Sequence, residues 1–251
     1  MNIALILLLN LAVGACIGLT GIAGFLLLMF YTGFLGMPAA ESLALSFSAF
    51  LISGILGAVT YYKAGNLAVR PAVVLSAGSL LGALAGVRIN LLIPEDVMQI
   101  ILYAVVLISG VSILLRRGGK EGADAGTAVL SAGRMAFYFL LGIVTGAVCA
   151  ASGAGGPVLV MPLLTLLGFP AHTAVGMSLF NSVFIALPAA AGYLWHASDN
   201  REMFLLLVPV LTAHGIGVTW GSRNAEKINQ NLLKRIVAVG SIGIALFKLF
   251  V

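Results

Sequence analysis

The sequence predicts an all-helical, polytopic membrane protein of two inverted repeats, each a glycine-broken helical hairpin followed by three transmembrane helices. Three observations lead there. Of the 251 residues, 61% are hydrophobic and 8% charged, whereas a soluble domain carries about 25% charged residues. The apolar residues gather in segments close to the ~20 residues that cross the hydrocarbon. The chain also matches itself, since a shift that lays Gly24 on Gly156 also lays Gly14 on Gly146, Thr20 on Ser152, Gly21 on Gly153, Met29 on Met161, Gly36 on Gly168, Pro38 on Pro170, Ser46 on Ser178 and Tyr61 on Tyr193. After a small insertion the match resumes, with Gly82 on Gly217, Gly86 on Gly221, Arg88 on Arg223 and Ile93 on Ile228.

In chain order the apolar segments lie at roughly 2–20, 24–35, 39–62, 71–92 and 97–115, then 135–152, 157–168, 173–195, 203–222 and 232–251. None alternates in the manner of a barrel strand, and lipid offers no partner to open backbone, so each reads as a helix. The amino terminus lacks the basic region of a cleaved signal peptide, so the first segment is expected to be retained. The run "VGAC" ending at Cys16 resembles a lipoprotein cleavage box only faintly. Cys16 and Cys149 stand in apolar helix, where neither a disulfide nor a metal site is expected. Segments 24–35 and 157–168 are too short to span.

Leu114 to Arg134 is the only long polar linker, and Arg116, Arg117, Lys120 and Arg134 assign it to the cytoplasm by the positive-inside rule. The organisation read from this is a first repeat over 1–115, a cytoplasmic linker over 116–133 and a second repeat over 134–251. Equivalent loops differ in charge. Arg223, Lys227, Lys234 and Arg235 correspond to a loop holding Arg88 with Glu95 and Asp96, and Lys63 and Arg70 correspond to His196, Asp199, Arg201 and Glu202. Loops that face opposite sides require inverted repeats with an odd number of segments each.

The stretch "ASGAGGPVLVMP" explains why the short segments exist. Ser152, Gly153, Gly155 and Gly156 precede Pro157, and Thr20, Gly21 and Gly24 are their counterparts in the first half. Proline suits a first helical turn, so the pattern is a helix stop followed by a helix start. Irregular backbone at membrane depth is tolerated only when buried or lining a cavity, and the amino terminus of a half-helix favours an anion. Broken helices paired across repeats build the midplane site of many secondary transporters. Small residues also serve close helix packing. Two clusters at equivalent positions, each after a hydroxyl residue, favour a substrate role.

Other candidates follow from residue type and place. Ser178 and Asn181 share one face of the helix after Pro170, and Ser46, with Ser48, occupies the related helix; each offers a donor to an anion or, alternatively, an interhelical hydrogen bond. Arg88 and Arg223 each follow a GxxxG-like surface and would attract an anion or snorkel at a helix end. Tyr61 and Tyr193 approach segment ends and read as interfacial anchors. His172 reads as interfacial. His214 sits well inside the ninth segment, and because histidine titrates near neutrality it is the proton-coupling candidate, with a structural role as the alternative.

The stretches "GLTGIAGFLLLMFYTGFLGMPAAESLALSFSAF" and "GAVCAASGAGGPVLVMPLLTLLGFPAHTAVGMSLFNSV" resemble the paired signatures of the sulfite exporter TauE/SafE family, also called the toluenesulfonate uptake permease family. The resemblance covers nearly the whole chain. It implies a bacterial or archaeal inner-membrane, multi-pass carrier of small sulfur-containing or carboxylated anions, such as sulfite, sulfoacetate or other organosulfonates. The first copy departs from the stronger pattern, with Phe25 where the second has Pro157 and Ala23 where it has Gly155. The second break is therefore expected to make the tighter backbone contact.

The expected function is secondary transport of such anions, in the export direction, by alternating access about the linker, with proton coupling as an option. An anion channel or facilitator would share the same donors, and a noncatalytic subunit of a membrane complex is the other alternative. An enzyme would need clustered acids, histidines or a metal constellation, which the sequence lacks, and no cofactor is expected. The partners implied are a small anion and the lipid bilayer, not nucleic acid. Gly/Ala-rich faces such as "GALAG" suit packing within the chain or against a second copy, which leaves a homo-oligomer open.

Overall fold

The computed structural model describes residues 3–21, 23–94, 131–197 and 201–227, with isolated positions between 97 and 111 and between 239 and 243. The described residues form eight helices and no strands: α1 (Ile3–Thr20), α2 (Phe25–Gly33), α3 (Ala39–Lys63), α4 (Val69–Leu92), α5 (Ala132–Ser152), α6 (Gly156–Leu166), α7 (Ala171–His196) and α8 (Arg201–Asn224). Six of them are long and apolar enough to cross a membrane. The two exceptions are α2, of 9 residues, and α6, of 11, the short segments that follow the glycine clusters. Most of the linker and of the segments expected at 97–115 and 232–251 lies outside the described residues.

Local sequence sets the helix ends. Gly36 and Gly168 adopt positive φ (61° and 92°) after the short helices, a conformation that suits glycine at a helix stop. Two residues later Pro38 and Pro170, each with φ of −53°, precede the first turns of α3 and α7. The equivalence seen in the sequence is thus repeated in backbone conformation. Ser131 caps α5, its hydroxyl accepting from the Arg134 N–H at 3.4 Å.

The core is the pair α3 and α7. Across the most apolar stretch of each, 67% is buried, against 39% for α5 and α8. They cross antiparallel, with Gly54 against the Leu179 carbonyl, Gly57 against the Leu179 side chain and Gly176 against the Asn66 carbonyl. Two outer pairs flank them and run parallel. In one, Gly78, Gly82 and Gly86 of α4 meet the carbonyls of Phe139, Ile143 and Ala147 of α5; in the other, Gly14 and Gly18 of α1 meet those of His214 and Val218 of α8. Any Cβ at these positions would strike the facing carbonyl, so the helices lie backbone against backbone, as small residues permit in membranes. The "GALAG" face therefore packs within the chain. Exchanging the halves leaves the neighbours unchanged, since α1–α8 becomes α5–α4 and α3–α8 becomes α7–α4.

Candidate functional site

A helix that ends within the packed protein leaves its last carbonyls without intrahelical partners. Here α1 stops at Thr20 and α5 at Ser152, at equivalent positions. Tyr61 donates its hydroxyl to the Gly18 carbonyl at 3.0 Å, and Tyr193 donates to the Ala150 carbonyl at 2.9 Å. Gly18 and Ala150 are related by the same shift that relates the tyrosines. Asn90 adds a bond from Nδ2 to the Ala151 carbonyl at 2.6 Å. Tyr61 and Tyr193 are 2% and 0% exposed, which corrects the expectation of interfacial anchoring. Their proximity to segment ends reflects where the broken helices stop, and a stranded carbonyl there demands a donor. The hydroxyls before the breaks serve the local backbone: Thr20 donates to the Cys16 carbonyl at 2.8 Å, and Ser152 accepts from the Ala154 N–H at 3.4 Å.

The breaks themselves turn on glycine. Gly21, Gly153 and Gly155 have φ of 74°, 70° and 78°, and with ψ of 149° Gly155 lies in a region that only glycine occupies comfortably. A Cβ on Gly24 would stand 2.9 Å from Phe50 Cε1, and one on Gly155 would stand 3.0 Å from Phe50 Cε2. One phenyl ring therefore separates the two breaks. A Cβ on Gly156 would stand 3.1 Å from the Ser182 Cα, and one on Gly21 would stand 3.2 Å from Val175 Cγ1 and 3.5 Å from Ser178 Oγ. A Cβ on Gly153 would collide with the side chains of Leu28 and Leu43. Each break thus rests on the long helix of the opposite half, while the half-helix that follows starts against the long helix of its own half.

Two helix faces meet these contacts. Along α3, Leu43, Ser46, Phe47 and Phe50 fall on one face by the three-and-four spacing; glycines of the breaks touch Leu43 and Phe50, and Ser46 lies between. Along α7, Ser178, Asn181, Ser182 and Ile185 share a face, with Gly21 at Ser178 and Gly156 at Ser182 and Ile185. Ser46 and Asn181 are 0% exposed. Ser46 Oγ and both polar atoms of the Asn181 amide have no hydrogen-bond partner, although an unsatisfied buried polar group costs about 1–3 kcal/mol. Ser178, also fully buried, donates to the Val175 carbonyl at 2.9 Å. The half-helices α2 and α6 begin at this place, and each amino terminus carries roughly half a positive charge. No charged residue occurs in α3 from 43 to 50 or in α7 from 175 to 185.

Of the residues singled out from sequence, the structure sets Gly21 against Ser178, Gly24 and Gly155 against the Phe50 ring, and Gly156 against Ser182 next to Asn181; Ser46 lies on the α3 face between Leu43 and Phe50, and Thr20 and Ser152 end the helices before the breaks. Arg88 and Arg223 are exposed near the carboxyl ends of α4 and α8 and do not join this group. His214 is 0% exposed, and its Nε2 lies 2.5 Å from Ser53 Oγ, one helical turn from Phe50. Sequence reasoning missed Phe50, Asn90 and Ser53. Phe50 carried no signal because its counterpart under the repeat is Ser182, and an aromatic residue in an apolar helix is unremarked.

The sequence pattern described as "Sulfite exporter TauE/SafE" matches residues 6–247. A similar protein is the "Probable membrane transporter protein YdhB" of Bacillus subtilis (strain 168), 24% identical over 237 residues that cover 93% of this chain and 94% of the relative. No solved structure matches the chain. A match over nearly the whole length, carried by an all-helical fold with six candidate spans, makes this multi-pass membrane protein a member of the sulfite exporter TauE/SafE family of membrane transporters.

Proposed function

We propose that the chain is a secondary carrier of small oxyanions of the sulfite and organosulfonate type in a cell membrane, and that the anion binds between the two breaks. The observation that carries this reading is the set of unpartnered atoms on Ser46 and Asn181, fully buried on the two faces that the breaks touch. Such atoms are retained at a cost in the empty protein and gain partners when oxygens of a substrate arrive. Neutral donors and two half-helix termini, together worth roughly one positive charge, suit a singly charged anion. Asn181 Nδ2 donates to an anion oxygen and its Oδ1 accepts from a protonated oxygen such as that of hydrogensulfite, while Ser46 Oγ, on the α3 face between Leu43 and Phe50, offers a donor further along the crossing.

The halves act as inverted repeats that rock about the central α3–α7 crossing. In support, the equivalent helices α3 and α7 run antiparallel, and α1 and α4 each run parallel with a helix of the other half. Uptake of labelled sulfite and of methanesulfonate into proteoliposomes tests the proposal, with the wild type compared with a folded Gly156→Leu variant whose side chain would collide with Ser182. Saturable wild-type flux that the variant loses is expected. Equal flux in both would remove the breaks from the site.

A further inference from the structure

We propose that Ser76 of α4 is a further anion-binding residue, donating its hydroxyl to the same small oxyanion that Asn181 holds from α7. This rests on the carrier reading above and adds to it the residue that completes the site. Ser76 is 0% exposed and its Oγ has no hydrogen-bond partner, as is true of both polar atoms of the Asn181 amide. A serine in a helix can donate to its own backbone one turn earlier. Ser48 and Ser53 do so, to the Ala44 and Ala49 carbonyls at 2.7 Å and 2.9 Å, but Ser76 makes no such bond. Its hydroxyl is therefore a buried donor that the chain itself leaves unused.

Helix register brings Ser76 to Asn181. α4 and α7 run parallel, since Asn90 near the end of one and Tyr193 near the end of the other both reach the last turn of α5, at the Ala151 and Ala150 carbonyls. A Cβ on Gly192 of α7 would stand 2.8 Å from Val87 Cγ1 of α4. Ser76 precedes Val87 by 11 residues, and Asn181 precedes Gly192 by 11 residues. That spacing is close to three full turns, so each lies on the face that makes the Val87–Gly192 contact, at matching heights. The related helices of the other half have the same register. There a Cβ on Gly215 of α8 would stand 3.3 Å from Ile52 Cγ2 of α3, which brings Leu211 to Ala49 one turn earlier, and these are the counterparts of Ser76 and Asn181 under the repeat. A polar pair thus replaces an apolar pair in one half only. The start of α6 reaches the same stripe of α7, because a Cβ on Gly156 would stand 3.1 Å from Ile185 Cδ1, one turn after Asn181, and a helix amino terminus there favours an anion. Ser46 is not placed to share it. Gly54 of α3 fits between Leu179 and Val183, level with Asn181, and Ser46 comes eight residues earlier, about 12 Å along the helix. Ser76 and Asn181 do not bond each other, so two oxygens of one sulfonate accept from both donors at once.

Calorimetric titration with methanesulfonate, alongside its counterflow in proteoliposomes, tests this on the wild type and Ser76→Ala. The wild type is expected to bind and exchange the anion saturably, and the variant to bind it roughly 10- to 150-fold more weakly. Without substrate the variant is expected to melt at or above the wild-type temperature, because a buried hydroxyl with no partner adds nothing to the fold. Unchanged affinity overturns the proposal. So does a variant that melts lower than wild type or fails to fold, since the hydroxyl then serves a structural partner such as a bridging water. A greater loss of affinity in Ser46→Ala than in Ser76→Ala also overturns it, by moving the anion along the crossing. Wild-type protein that binds methanesulfonate and exchanges no anion refutes the carrier reading alone, and the titration of Ser76→Ala then still decides the site. Wild-type protein that binds neither methanesulfonate nor sulfite removes both.

Discussion

Replacing Asn181 by leucine is expected to make the empty protein more stable and the carrier worse. The side chains are close in size, the position is fully buried, and both amide atoms lack partners. With each such atom costing about 1–3 kcal/mol, and repacking strain of about 1 kcal/mol against the gain, Asn181→Leu stabilises the substrate-free protein by roughly 1–5 kcal/mol. In the bound state it loses a hydrogen bond to a charged partner, about 1.5–3 kcal/mol, which weakens apparent affinity roughly 10- to 150-fold. Thermal unfolding in detergent without substrate reads the first effect, and the concentration dependence of counterflow reads the second. Saturating methanesulfonate should raise the melting temperature of the wild type and leave the variant unmoved. A variant that melts lower than wild type yet exchanges with unchanged affinity would refute the reasoning and make Asn181 a structural residue.

Three further outcomes follow from the same geometry. Gly155→Ala places a Cβ 3.0 Å from Phe50 at a φ of 78°, so about 1–3 kcal/mol of stability is lost, whereas Gly133→Ala, with open space around it, leaves the melting temperature within a degree or two of wild type or above it. Tyr193→Phe and Tyr61→Phe strand the Ala150 and Gly18 carbonyls; each is expected to lower stability by about 1–3 kcal/mol, and a silent substitution at both would remove the capping role. Phe50→Leu shortens the spacer between the breaks, and competition by progressively larger sulfonates should then shift toward the larger members; an unchanged ranking would place the ring outside the site.

The glycine, proline and hydroxyl positions were readable because they depart from an apolar background. Gly153, Gly155, Gly156 and Pro157 announce a stop and a start in any helix, and their counterparts in the first half doubled the signal. The same repeat paired Tyr61 with Tyr193, but composition alone favoured an interfacial anchor; only the observed helix ends reveal that both tyrosines cap stranded carbonyls. Phe50 was illegible for a different reason. It separates the breaks because its ring is large where the equivalent Ser182 is small, an asymmetry that a search for equivalence passes over. The polar neighbours of His214, Ser53 at Nε2 and the Asn10 backbone by the ring, come from two other helices and share no spacing along the chain. Arg88 and Arg223 matched under the repeat, yet both lie exposed near helix ends, where a long cationic side chain reaches the headgroups.

The central claim is that a small anion lies between the two breaks, held at Asn181 or Ser46. A crystal structure of the protein grown with bromomethanesulfonate, phased on the bromine signal, tests it most directly. The account expects one strong anomalous peak between α3 and α7 beside Phe50, with sulfonate oxygens about 2.7–3.2 Å from Asn181 Nδ2 or from Ser46 Oγ. Bromine bound elsewhere, with both side chains still unpartnered, would contradict it.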